Sequence, residues 1–173
     1  MSYLPSPLEC IKLLEKYNCS KEVIAHSKAV RDISLRIAKK AGADLKIVEV
    51  GALLHDIGRS RTHGISHAVE GVKIAKKIGL PIEIIKIIER HIGAGLSRDE
   101  AKKLGLPEKE YIPETLEEKV VCHADNLIDD CKKQRIEFEV EKAVKKGQKE
   151  YARRLVKLHK ELSKICKIDL NDI

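Results

Sequence analysis

The chain has 173 residues, 43% of them hydrophobic and 35% charged, with no Trp, 3% aromatics and a net charge of +7. That length suits one compact domain over residues 1–173 and is short for two, while an apolar fraction that is almost wholly aliphatic fits packed helices and argues against a β-sandwich. Five cysteines without a Cys-x-x-Cys pair argue against a disulfide framework, and no apolar run reaches the roughly 20 residues of a membrane-spanning helix.

In chain order, Ser6-Pro7 is an N-cap followed by a first-turn proline and opens a helix to about Tyr17. Ser20 caps a second helix to Lys40, closed by Gly42, and Asp44 caps a third that ends near Ile57. Residues 59–65 read as a loop. Ser66 caps a helix to Ile78 with Gly79 behind it, and Pro81 starts another that ends at His91-Ile-Gly-Ala-Gly95. Ser97 and Glu100 form a capping box over a short helix. The stretch from Gly105 to Pro113 is the longest irregular one and is a candidate lid. Helices then run from Glu114 to about Gln134 and from about Glu139 to Ile168. No strand alternation is present, so the expected fold is all-α.

Several of these helices carry a chemically distinctive residue on the apolar stripe. His26 falls in the series Val23, His26, Val30, Ile33, Ile37; His55 ends Leu45, Val48, Ala52, His55. His67 begins His67, Gly71, Ile74, Ile78; His91 ends Ile84, Ile87, His91; Asp125 sits between Val121 and Ile128. A helix turns such positions toward the core. Asp56 follows His55 directly, and because neighbouring helical residues point roughly 100° apart, both can face one point only at a helix end, which Gly58 marks. One buried histidine is ordinarily a hydrogen-bonded core imidazole. Burying two carboxylates and four imidazoles together costs several kcal/mol per charged group, and a bound cation resolves that conflict. His123 and His159 also lie on stripes; His159 reads as a packing residue, and His123 as either a supporting neighbour of Asp125 or a satisfied helix histidine.

The order His26, His55-Asp56, Asp125 resembles the H…HD…D signature of HD-domain metal-dependent phosphohydrolases, an all-helical superfamily, over about residues 20–130. Under that reading residues 7–17 add an N-terminal helix and about 139–168 add basic C-terminal helices. His67-Ala-Val-Glu-Gly71 and Glu89-Arg-His91-Ile-Gly-Ala-Gly95 resemble the additional histidine segments of two-metal members. Those include symmetrical diadenosine-tetraphosphate hydrolases and cyclic-nucleotide phosphodiesterases, and the overall similarity is to an uncharacterised archaeal HD group. The Gly-Tyr-Pro extension of cyclic dinucleotide phosphodiesterases is missing, which disfavours that substrate. The resemblance implies that His26, His55, Asp56 and Asp125 hold one metal and that Asp56 bridges to a second held by His67 and His91. Such a mixed set suits Fe or Mn first, then Co, Ni or Zn, over an oxygen-only Mg site.

The activity implied is attack on a phosphoester or phosphoanhydride of a nucleotide by water that the metal ions acidify. Arg59 and Arg61, in the loop after the His-Asp pair, are candidates to clamp a phosphate, and His63 is a candidate proton donor or an alternative ligand to His67. The same ligands would also serve a one-metal 5′-nucleotidase, a di-iron oxygenase or a non-catalytic RNA- or nucleotide-binding module. Positive charge gathers toward the end of the chain at Lys142, Lys145, Lys146, Lys149, Arg153, Arg154, Lys157, Lys160, Lys164 and Lys167. It reads first as a solvated helix face and second as a polyanion-binding surface. The start, Met1 to Leu8, has two prolines and no basic leader, and together with the unpaired cysteine pattern this points to a cytoplasmic protein acting on a small phosphorylated substrate, with no membrane partner.

Overall fold

The computed structural model describes residues 3–173; Met1 and Ser2, part of the start read above as lacking a leader, lie outside the described residues. Nine α-helices carry those residues: α1 (Pro7–Lys16), α2 (Lys21–Ala41), α3 (Leu45–Leu54), α4 (His67–Ile78), α5 (Ile82–Arg90), α6 (Arg98–Lys103), α7 (Leu116–Asn126), α8 (Ile136–Lys145) and α9 (Lys149–Cys166). The expected all-α class holds, the only sheet among the described residues being a hairpin of Ile128–Asp129 with Lys132–Lys133. No helix among them is long and apolar enough to cross a membrane.

The caps expected at Ser6, Ser20, Asp44 and Ser97 act as such, whereas Ser66 precedes α4 in a helical backbone conformation and its hydroxyl caps no N–H. The Ser6 and Ser97 hydroxyls each accept from the backbone N–H three residues on, and Glu9 and Glu100 return the bond. Helix α2 ends at Gly42 and α4 at Gly79, both at positive φ. Helix α2 packs across α3 and α7, α5 lies against α3, α4 and α7, and α9 closes over α2 and α7. One apolar core joins them, with Leu14, Ile37, Leu53, Leu54, Ile84, Ile88, Leu127, Leu155 and Leu162 fully buried.

Three expectations give way to tertiary structure. The helix expected to reach Gln134 stops at Asn126, and the chain turns through Asp129 and Asp130, the latter at φ 53°. Two consecutive acids just beyond a helix C-terminus meet the negative end of its dipole, and Asp tolerates the left-handed region that the turn needs. The long C-terminal helix is broken by Lys146-Gly147-Gln148, with Gly147 at φ 72°, into the hairpin of α8 and α9. The candidate lid is fastened instead: Tyr111 is buried with Leu96, Ala101 and Leu106 in a second small core, and its N–H donates to Leu96 O at 2.9 Å.

Candidate metal centre

Helix α3 ends before the His-Asp pair rather than after it, and this sets the geometry. His55 is the C-terminal cap of α3, and Asp56 precedes a 3-10 turn from Ile57 to Ser60. His91 takes the equivalent place at the end of α5. The last turn of a helix leaves carbonyls without intrahelical partners. Both imidazoles use one of them: His55 Nδ1 lies 2.7 Å from Ala52 O and His91 Nδ1 lies 2.8 Å from Ile88 O. His67, the first residue of α4, repeats the pattern with Gly64 O at 2.8 Å, and His26 on α2 reaches Asp130 O in the hairpin turn at 2.7 Å.

A carbonyl only accepts, so each of these Nδ1 atoms carries the hydrogen and each neutral ring turns a lone pair on Nε2 toward the interior. The four Nε2 atoms and two carboxylates meet there. His26 Nε2 is 2.9 Å and His55 Nε2 3.6 Å from Asp125 Oδ1. His55 Nε2 is also 3.6 Å from Asp56 Oδ2, whereas His67 and His91 approach the other oxygen, Oδ1, at 3.2 and 3.3 Å. Between themselves the Nε2 atoms of His67 and His91 are 2.9 Å apart. His26, His55 and Asp125 form one group of donor atoms within 4.8 Å of one another; His55, Asp56 and His91 form a second.

His55 Nε2 and Asp56 Oδ1 are buried and lack a hydrogen-bond partner. Lone pairs facing lone pairs in a buried cluster demand positive charge among them. The titration behaviour says the same. Burial opposes a charge on His55, yet Asp56 and Asp125 outweigh it and raise the imidazole to about 9. Burial likewise favours neutral Asp56, but His55, His67 and His91 hold its carboxyl well below the usual range. His91 moves down, chiefly through burial and then through repulsion from His55 and His67. The donor set therefore fits divalent transition-metal ions: imidazole nitrogens with fixed tautomers, each secured through its far N–H, interleaved with carboxylate oxygens.

The close approach of α4 depends on glycine. A Cβ on Gly58 would stand 1.8 Å from His67 O and 2.5 Å from Gly71 N. Only a bare backbone on the 3-10 turn lets the start of α4 come near enough to bring His67 to Asp56.

The expected ligands His26, His55, Asp56, His67, His91 and Asp125 are thus brought together, with His26 and Asp125 half-buried along an open cleft instead of fully enclosed. The cleft, about 1080 Å³, is also lined by Arg59, His63, Lys21, Glu22, Asp129 and Asp130. Arg59 Nε donates to Asp56 Oδ2 at 2.7 Å, a buried-side ion pair that the expected phosphate clamp did not anticipate. Arg61 is exposed and is not part of the cleft lining, so the structure does not bring it to the donor atoms. His63 stands exposed at the rim while His67 supplies the inward nitrogen. His123 and His159 join each other away from the cluster. The Asp130 carbonyl that orients His26 was not legible in the sequence; the Asp129-Asp130 pair after Asn126 was the available sign of a turn.

A family model described as HD domain matches residues 23–130. The chain belongs to the HD-domain family. This HD chain is 45% identical over 170 residues to tRNA (cytidine(56)-2′-O)-methyltransferase of Thermoplasma volcanium, covering 98% of the chain and 50% of that protein. It is 46% identical over 159 residues to an uncharacterized protein of Methanocaldococcus jannaschii, covering 89% of the chain and 88% of that protein. The chain spans about half the length of the first curated relatives it matches. Among solved structures it resembles the HD domain of the phosphodiesterase PgpH of L. monocytogenes in complex with cyclic-di-AMP, at 20% identity and a TM-score of 0.57, over 91% of this chain and 96% of that one.

Proposed function

We propose that the protein is a metal-dependent phosphohydrolase that cleaves a phosphoester or phosphoanhydride of a nucleotide, with two divalent transition-metal ions held by His26, His55, Asp56, Asp125, His67 and His91. The observation that carries this reading is the division of Asp56: Oδ2 faces His55 and, at 3.9 Å, His26, while Oδ1 faces His67 and His91. One carboxylate placed between two sets of imidazole lone pairs is the arrangement a shared ligand needs. Bound there, such ions, Fe or Mn by preference, supply Lewis acidity that acidifies water and neutralises phosphoryl oxygens.

The chain's own groups supply the rest. Arg59 neutralises Asp56 Oδ2 in the absence of a cation. Once Asp56 has a cation partner, the guanidinium is free to take a phosphoryl oxygen in the same cleft, and Lys21 at the rim adds a second positive charge. His63, exposed and lining the same cleft, is the group we assign to return a proton to a leaving oxygen. No side-chain nucleophile is required. The likeness to a tRNA-directed relative and to a cyclic-di-AMP-bound neighbour supports a nucleotide-containing substrate. Because the Gly-Tyr-Pro extension is missing, that likeness does not single out a cyclic dinucleotide.

The test is to strip the protein of metal, reload it with Mn or Fe, and screen nucleotides, dinucleoside polyphosphates, cyclic nucleotides and short oligonucleotides beside Asp56→Ala. The variant is expected to lose both bound metal and turnover. Undiminished turnover by Asp56→Ala overturns the reading.

A further inference from the structure

A second hollow of about 580 Å³ lies beside the metal centre, built largely from residues outside the HD match. The loop after the His-Asp pair gives His63 to the cleft and Ile65 to this groove, and Ile92, which follows His91, lies on its wall. Leu96, Leu104 and Ala143 extend the apolar surface, on which Ile65 and Leu104 remain exposed. Tyr151 comes from the first turn of α9 and packs against the backbone beyond His91: a Cβ on Gly93 would stand 2.0 Å from its hydroxyl. Burial pushes this phenol up, so it stays protonated and able to donate.

Charge around the groove is one-sided. Its acids are engaged: Glu100 with Arg154 at 2.6 Å, Glu139 with Lys142 at 2.8 Å, and Glu150 with Arg153. Lys103 from α6, Lys146 from the turn and Lys149 at the start of α9 line the same groove, and none forms an ion pair among the described residues. The amino end of α9 has no side-chain cap and opens onto the same surface. Positive charge that reads as a diffuse solvated face in the sequence therefore converges, from two separated segments, on an apolar trough with a tyrosine in it. Unpaired cations along an apolar and aromatic floor are the features that hold a single-stranded nucleic acid, phosphates on the lysines and a base on the ring.

We propose that this groove binds the single-stranded RNA that flanks the phosphate presented to the metal centre. The proposal rests on the phosphohydrolase reading for the direction of the strand and on the tRNA-directed relative for RNA as its chemistry, and it narrows the substrate to a phosphodiester within or at the end of such a strand.

The experiment measures binding without turnover: fluorescence anisotropy of a labelled 12-nucleotide RNA with metal-free Asp56→Ala protein, as a function of salt. The combined variant K103E/K146E/K149E is compared with K157E/K160E/K164E, which makes the same change of charge on α9 away from the groove. The groove variant is expected to bind about tenfold or more weakly and to lower the salt slope by about two, at roughly 0.7 per lost phosphate contact. The control variant should change affinity less than about threefold. Equal loss in both variants, unchanged binding in the groove variant, tighter binding of a DNA strand of the same sequence, or displacement by poly-glutamate as readily as by unlabelled RNA overturns the proposal. Loss of metal or of turnover bears on the metal centre alone, since the binding assay uses neither.

Discussion

His67 Nε2 and His91 Nε2 lie 2.9 Å apart, and the Nδ1 atom of each ring already donates to a backbone carbonyl. Two neutral rings so fixed would bring lone pair against lone pair, so the contact is stable only with a proton or a cation between these nitrogens and Asp56 Oδ1, which is 3.2 and 3.3 Å away. Under the two-ion reading, His91→Ala is expected to lower bound metal from two ions per chain to one, and His26→Ala to do the same from the other side. Elemental analysis of metal-loaded protein measures this. One ion per chain in the parent protein, unchanged by His91→Ala, would favour a one-metal nucleotidase.

The Arg59–Asp56 pair makes a different prediction about stability. Asp56 is almost fully buried, with Arg59 Nε 2.7 Å from Oδ2, so removing the guanidinium leaves a buried carboxylate with one fewer charged partner. Arg59→Ala should lower the stability of metal-free protein by about 1–3 kcal/mol. Added metal, which replaces the missing positive charge, should recover much of that loss. Chemical denaturation with and without Mn measures both effects, and an equal loss in both conditions would show that the guanidinium is not a stand-in for the cation.

Gly58 is expected to tolerate no side chain. Ala at this position meets the His67 carbonyl at 1.8 Å, and because the obstacle is backbone, α4 must shift as a unit. Gly58→Ala should cost about 3 kcal/mol and loosen the grip on whatever His67 and His91 bind. Gly71→Ala, whose nearest neighbour is the Ile88 Cγ2 methyl at 2.7 Å, should cost less, since a side chain can turn away. Thermal unfolding of the two variants ranks them.

The six donor residues were legible because each lies on a strict helical stripe or directly after one, and because buried charges without partners are costly enough to mark themselves. Helix starts were legible for a related reason: Ser6, Ser20, Asp44 and Ser97 satisfy backbone N–H groups through local bonds that need no tertiary information. The end of α7 was not, since it is fixed by long-range contacts. Asn126 Nδ2 donates to Gly93 O at 2.6 Å and Gln134 Nε2 to Asn126 O at 3.0 Å, bonds that form only after the chain has folded. The Arg59–Asp56 pair was not legible for a similar reason: the loop position of Arg59 is visible in the sequence, but its choice of Asp56 over solvent is not. The three unpaired lysines of the groove are separated by as many as 46 residues, from Lys103 to Lys149, and no periodicity links them.

His123, which pairs with His159 and not with the donor cluster, offers a pH test. Asp169 Oδ1 can only accept, so His159 Nε2 donates to it at 2.9 Å, and His159 Nδ1 in turn accepts from His123 Nε2 at 2.9 Å. That order leaves His123 Nδ1 as a buried acceptor with no partner. Burial, then repulsion from His159, lowers the His123 imidazole to about 3. The unfolded chain binds a proton there near pH 6.5 while the folded chain refuses it until about 3, so stability is unaffected above 6.5 and falls as pH drops through that interval. The slope from this one group is about 1.4 kcal/mol per pH unit at its steepest. In His123→Leu the polar group is gone from both states, and the loss of stability between pH 6 and 4 should be shallower than in the parent by about that slope. Denaturant midpoints measured at pH 7, 6, 5 and 4 provide the comparison, and parallel curves for the two proteins would mean that His123 takes up a proton inside the fold.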